Sequence, residues 1–248
     1  MKFLTILTPV ISFLASALTA DQDTPTIRVV ADEWPPFSGA ELTDQGLSLH
    51  VIAATFERAG YAVETSVLPW ARIMDGVRRN EYDVVGSLFY DPALTEFLTY
   101  GAPFYATEVR LVRRIGDIHE FTRVQDLRPH SIAVGDGFLY EDEFDRADYL
   151  NKVTVTTTLQ ALQMVAFERA DLTLDSVDVV NYAMQTLAPT LSDRLEFAPG
   201  VLTSQEIHMA MRNDFPDRAR VIDDFNTALQ AMRADGSLDA ILAQHVTP

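Results

Sequence analysis

Apolar and polar positions fall along the chain in blocks whose period changes. Thr26 to Ala31, TIRVVA, is β-rich and predicts a first strand. It stops at Asp32-Glu33-Trp34-Pro35-Pro36-Phe37. Two consecutive prolines can neither feed a sheet ladder nor sit inside a helix, so the chain turns there in an extended form. Leu47 to Ala59 then carries Leu49, Ile52, Ala53 and Phe56 at helical spacing, with Gly60 just past the end. Tyr61 to Leu68 reads as a strand. Pro69-Trp70-Ala71-Arg72 opens an amphipathic helix with Ile73, Met74 and Val77 on its apolar side, and Tyr82 to Ser87 follows as a third strand. Strand, helix, strand, helix, strand predicts a parallel sheet with helices on its faces.

The pattern then pauses and restarts. Phe97 to Tyr100 is a short strand signal, and Glu108 to Arg114 is a longer β run. Ser131 to Val134, Lys152 to Val155 and Asp171 to Leu174 read as strands. Tyr140 to Tyr149, Thr157 to Arg169 and Val177 to Leu187 read as the helices between and after them. The chain returns through Arg194 to Ala198 and Ile207 to Met211, and two helices, Phe215 to Ala234 and Leu238 to Gln244, close it. No long linker separates the two α/β units. Two lobes joined by crossed strands account for that order: 24–108 with 212–248 in one lobe, 113–206 in the other, and hinge strands near 106–114 and 205–212.

Composition narrows the class. The 248 residues are 48% hydrophobic and 22% charged, as in a globular protein. Cysteine is absent, which excludes a disulfide framework, a Cys-based metal site and a thiol nucleophile. Residues 1–20 stand apart. Lys2 precedes an apolar run from Phe3 to Leu14, and Ala15-Ser16-Ala17 fits a small-x-small cleavage pattern, so this stretch is expected to be a secretory signal peptide. Its removal leaves a net charge of -18, one below the full chain's -17, because only Lys2 goes with it. So acidic a surface argues against nucleic acid and anionic lipid as partners. No later segment is long and apolar enough to predict stable insertion in a membrane.

The chain resembles the extracellular solute-binding proteins of family 3. The marks are Trp34-Pro35-Pro36-Phe37, Pro69-Trp70-Ala71-Arg72, Tyr82-Asp83, Pro103-Phe104-Tyr105, Asp171 to Asp175, and the closing Phe225-Asn226, Asp235-Gly236-Ser237-Leu238 and Ile241-Leu242, in that order over nearly the whole mature length. The resemblance implies an α/β fold of two lobes, each a mixed sheet flanked by helices, hinged by two strands and closing on a small molecule. It also implies a periplasmic monomer that hands its solute to the permease of an ABC transporter, without a cofactor. Two positions depart from the family. The Arg that grips the ligand's α-carboxylate falls here at Leu94, within Asp91-Pro92-Ala93-Leu94-Thr95-Glu96, and the second lobe has Gly137-Phe138 where the family has Gly-Thr or Gly-Ser.

Ligands of open α/β sheets bind outside the carboxyl ends of the strands, which singles out particular residues. Trp34 and Phe37 are an aromatic wall, or else core that anchors the loop. Trp70 is expected beside them. Arg72 is the cation expected to replace the lost carboxylate grip, the alternative being an ion pair to Asp75. Ser87, Phe89 and Tyr90 follow the third strand. Asp136 and Gly137 lie in a second-lobe turn whose N–H groups could take an anion, the alternative being a plain turn, and Phe138 follows as a further ligand-binding candidate. Asp175 is expected to face Arg72 and hold a ligand ammonium, as the family's acid does, or to cap the helix at Val177. The five His residues have no metal spacing and no nucleophile motif is present. Solute capture is therefore the leading reading. A dehydratase-like enzyme using Glu33 or Asp175, and a soluble sensory module, are the alternatives.

Overall fold

The computed structural model describes residues 25–245, so the leader read at residues 1–20 lies outside the described residues. β1 (Thr26–Ala31), β2 (Ala62–Val67) and β3 (Val84–Leu88) form a parallel trio with β1 in the middle. α1 (Leu47–Arg58) and α2 (Trp70–Arg78) are the crossovers. α1 ends where Gly60 takes φ +90, a conformation glycine adopts without a Cβ penalty. β4 (Leu98–Tyr100) and the long β5 (Tyr105–Arg114) follow.

The second unit repeats the scheme. β6 (Ser131–Gly135) lies between β7 (Asn151–Val155) and β8 (Leu172–Ser176), parallel to both. α3 (Asp142–Asp145), α4 (Thr158–Ala166) and α5 (Val177–Tyr182) connect or follow these strands. β9 (Leu195–Phe197), β10 (Thr203–Arg212), α6 (Arg218–Asp235) and α7 (Ser237–His245) complete the chain.

The expected helix Tyr140 to Tyr149 shrinks to the four residues of α3. Its acids repel one another at helical spacing, and Lys152 Nζ donates to the carbonyls of Phe144 and Asp145, which ends it. The helix expected over Val177 to Leu187 continues past α5 only as a wider π turn, Ala183–Leu187. The sheet is mixed, not purely parallel, because β10 enters it antiparallel to β3, β4 and β5.

β10 joins the two units. Thr203 to Ile207 pairs with β5, and His208 to Arg212 pairs with β3 and β4. Hydrogen bonding is therefore continuous through β10, in the order β2-β1-β3-β10-β5-β8-β6-β7. What divides the molecule into lobes is the core. One pair of apolar clusters draws on Ile27 to Phe104 and Ile207 to Ile241, with Val179 the single addition from the other unit. The other pair draws on Val109 to Ala198. Each lobe buries its own apolar surface, and β5 and β10 are the strands they share. β5 is tied to the second lobe where Tyr105 Oη and Thr107 Oγ1 donate to the Asp178 carboxylate at 3.1 and 2.6 Å. No helix among the described residues is long and apolar enough to cross a membrane.

Candidate functional site

A cleft of about 350 Å³ opens where the carboxyl ends of β1, β3, β6 and β8 converge, and both lobes line it. Its size suits a small molecule, for which roughly 300–1,000 Å³ is usual. The first lobe supplies Asp32, Trp34, Trp70, Ser87, Phe89 and Leu94. The second supplies the turn Asp136 to Tyr140, and Asp175.

The first lobe's wall is built from the proline loop and the end of β3. Trp34 exchanges backbone bonds with Ser38 and packs edge-on to Phe89, ring centroids 5.0 Å apart. Phe37 is fully buried beneath it, 4.6 Å from the Trp34 ring and 5.8 Å from that of Tyr105. Phe37 therefore supports the wall and does not line it. At β3 the ladder with β10 slips by one residue between His208 and Ala210, and Ser87 takes φ +61. Such bulges redirect a side chain next to a site. A left-handed non-glycine residue costs about 1–3 kcal/mol and persists only where its surroundings impose it. Ser87 Oγ is buried with no hydrogen-bond partner, which costs about 1–3 kcal/mol more. Just past the end of β3, Phe89 lines the cleft. Tyr90 is 55% exposed, packs on Tyr100 and does not line the cleft.

Arg72 is also outside the cleft. Trp70 lines it, but position 72 lies about 200° further round a helix of 3.6 residues per turn. There Arg72 is exposed, away from the buried face of Ile73, Met74 and Val77. Asp75 pairs with Arg79 at 2.8 Å.

The second lobe's wall depends on Gly135. A Cβ there would meet the Phe138 ring at 2.4 Å, so glycine allows that ring to lie on the backbone. Tyr140 Oη accepts the Gly135 N–H at 2.8 Å and closes the turn. The N–H groups of Asp136 and Phe138 are spent on the carbonyls of Val155 and Gly135, so they do not form an anion pocket. Gly137 holds φ +72 at the tip. Asp175 is the penultimate residue of β8 and is 5% exposed. Thr158 donates its hydroxyl to Oδ2 at 2.5 Å, and the Ser176 N–H donates to Oδ1 at 2.7 Å. Burial pushes the Asp175 carboxyl up to about 6, against the pull of those two bonds. Burial also raises Asp32, with the Glu33 charge adding to it.

The structure thus gathers Trp34, Trp70, Ser87, Phe89, Gly137, Phe138 and Asp175 at one cleft, and leaves Phe37, Arg72 and Tyr90 beside it. Leu94 does line the cleft, at the position where the resemblance places an Arg. Sequence reading missed Asp32, Asp91, Leu139 and Tyr140. Asp32 was detectable, since it directly follows the first strand. Glu33 is exposed, and its Oε1 accepts the Ala40 N–H at 3.0 Å, so it closes a loop. Elsewhere, ligand atoms of Asp44, His50 and His245 come within 4.8 Å of one another, a grouping 195 residues of separation hides from any spacing rule.

The sequence matches the model of the bacterial extracellular solute-binding proteins, family 3, over residues 27–248. Among solved structures it is similar to a histidine kinase sensor domain described as resembling periplasmic binding proteins, at 18% identity and TM-score 0.76 over 91% of this chain and 99% of that one. An ancestral arginine-binding protein bound to arginine follows at 18% and 0.73, covering 89% and 97%. The periplasmic VFT2 domain of Bordetella pertussis BvgS stands at 21% and 0.73, covering 90% and 94%. At these identities the likeness establishes the fold, the type II periplasmic-binding-protein arrangement of two mixed α/β lobes. No curated protein sequence matches the chain.

Proposed function

We propose that this chain, which belongs to the bacterial extracellular solute-binding proteins of family 3, captures a small polar solute between its lobes in the periplasm and presents it to the permease of an ABC transporter. The lobes comprise residues 24–108 with 212–248, and 113–206, turning on β5 and β10. The observation that carries the reading is the shared cleft: Trp34, Trp70 and Phe89 face Phe138 and Asp175 across it. A ligand touching both walls makes more contacts when they approach, so it stabilises the closed state by its differential affinity for that state.

A sensory role is the second reading, favoured by the likeness to a kinase sensor domain and the BvgS domain. Ligand capture is common to both readings. A thermal-shift screen of the mature chain against amino acids, amines, organic acids and sugars tests it. A solute at a hundred times its dissociation constant should add about 2.7 kcal/mol, and no shift with any member would refute capture. Co-purification with a permease, against co-purification with a kinase, separates the two readings.

A further inference from the structure

The charge of the cleft is one-sided. Four carboxylates line it, Asp32, Asp91, Asp136 and Asp175, and no Arg, Lys or His does so among the described residues. Two of them lie on opposite walls at strand ends, Asp32 after β1 and Asp175 at the end of β8. The cations nearest in sequence are engaged or turned away. Arg110, opposite Asp175 in the ladder, donates to the carbonyls of Gly200 and Ala198, and Arg72 is exposed on the outer side of α2. At the place where a carboxylate grip would be expected, the cleft presents Leu94.

We propose that the cleft selects a cationic solute without a free carboxylate: an amine, amidine or guanidine whose charge lies between Asp32 and Asp175 and whose carbon frame lies against Trp34, Trp70, Phe89 and Phe138. Aromatic faces attract cations electrostatically. A carboxylate entering the same space meets like charge and no donor fork. Ser87 fits as well. Its buried, unpartnered Oγ can accept from a ligand N–H. This inference rests on the capture reading and adds the class of solute to it.

Calorimetry with matched pairs tests it: agmatine against arginine, putrescine against ornithine, histamine against histidine, all at pH 7.5. In at least one pair the amine should bind at least tenfold more tightly than its amino acid. Asp32→Asn and Asp175→Asn, checked for cooperative melting, should each weaken that amine at least tenfold. If either variant fails to fold, Leu94→Arg serves instead, and should reverse the preference within the pair. Amino acids that bind as tightly as their amines, or an amine unaffected by these variants, would overturn the inference and leave capture standing. Sugars or organic acids that bind while no amine does would also overturn it. If nothing in the whole panel binds, capture itself falls.

Discussion

Arg110 and Asp175 face each other across the β5–β8 ladder and do not form an ion pair. The Arg110 Nε and Nη2 donate to the carbonyls of Gly200 and Ala198, and the guanidinium stacks over the Phe197 ring at 5.2 Å. Asp175 is left with two neutral donors, Thr158 and the Ser176 amide. A buried carboxylate without a cation pays for its desolvation, and the free protein keeps that cost at the cleft.

The first prediction follows from that cost. The Asp175 carboxyl titrates near 6 in the folded chain against 3.8 unfolded. The folded state therefore binds the proton more tightly. The stability this contributes is complete below pH 3.8 and is lost as pH rises through 6. Asp175→Asn is isosteric and stays neutral, so above pH 7 it should exceed the wild type by up to about 3 kcal/mol, the difference vanishing near pH 4. Urea unfolding of both proteins from pH 4 to 8 checks this. A difference that does not depend on pH contradicts it.

Arg72 tests the cleft from outside. Arg72→Ala should change the melting temperature by less than about 2 °C, because exposed changes away from special features stay within roughly 0.5 kcal/mol. Ligand affinity should move less than about threefold, as expected of a screened charge. A tenfold loss, measured by calorimetry, would mean that Arg72 swings into the cleft when the lobes close.

Phe37 is the support beneath Trp34. Fully buried between Trp34 and Tyr105, it should cost about 3–5 kcal/mol when replaced by Ala. Chemical denaturation reads this directly. A loss under about 1 kcal/mol would show that the proline loop packs independently of it.

Leu94→Arg should add a carboxylate grip. A charge-assisted pair is worth roughly 1.5–3 kcal/mol, about one to two decades of affinity, so ornithine or arginine should gain by that factor. No gain would contradict the reading of position 94 as the missing carboxylate grip and, with it, the selection against carboxylates.

The strands, the crossover helices and the proline loop were legible in the sequence because each depends on local chemistry: β-branched runs, helical spacing at Leu49, Ile52 and Phe56, and Gly60 at a helix end. Trp34, Ser87, Phe89 and Asp175 were legible as strand-end residues by the same logic. Side-chain direction was not. Whether Trp70 or Arg72 faces the cleft depends on which side of α2 the sheet covers, and the fates of Phe89 and Tyr90 depend on a one-residue bulge at Ser87. Continuity of the sheet through β10 and the Asp44, His50 and His245 grouping are long-range facts with no local signature.

Capture between the lobes requires that a solute be held by both walls at once. Small-angle X-ray scattering of the mature chain, free and saturated with whichever solute raises its melting temperature most, tests it directly. Closure on a bridging ligand should shrink the radius of gyration reproducibly, and Asp175→Asn should need at least tenfold more solute to reach the same change. A solute that binds while the radius of gyration stays constant would mean that one lobe holds it alone, and the account of capture between the lobes would be wrong.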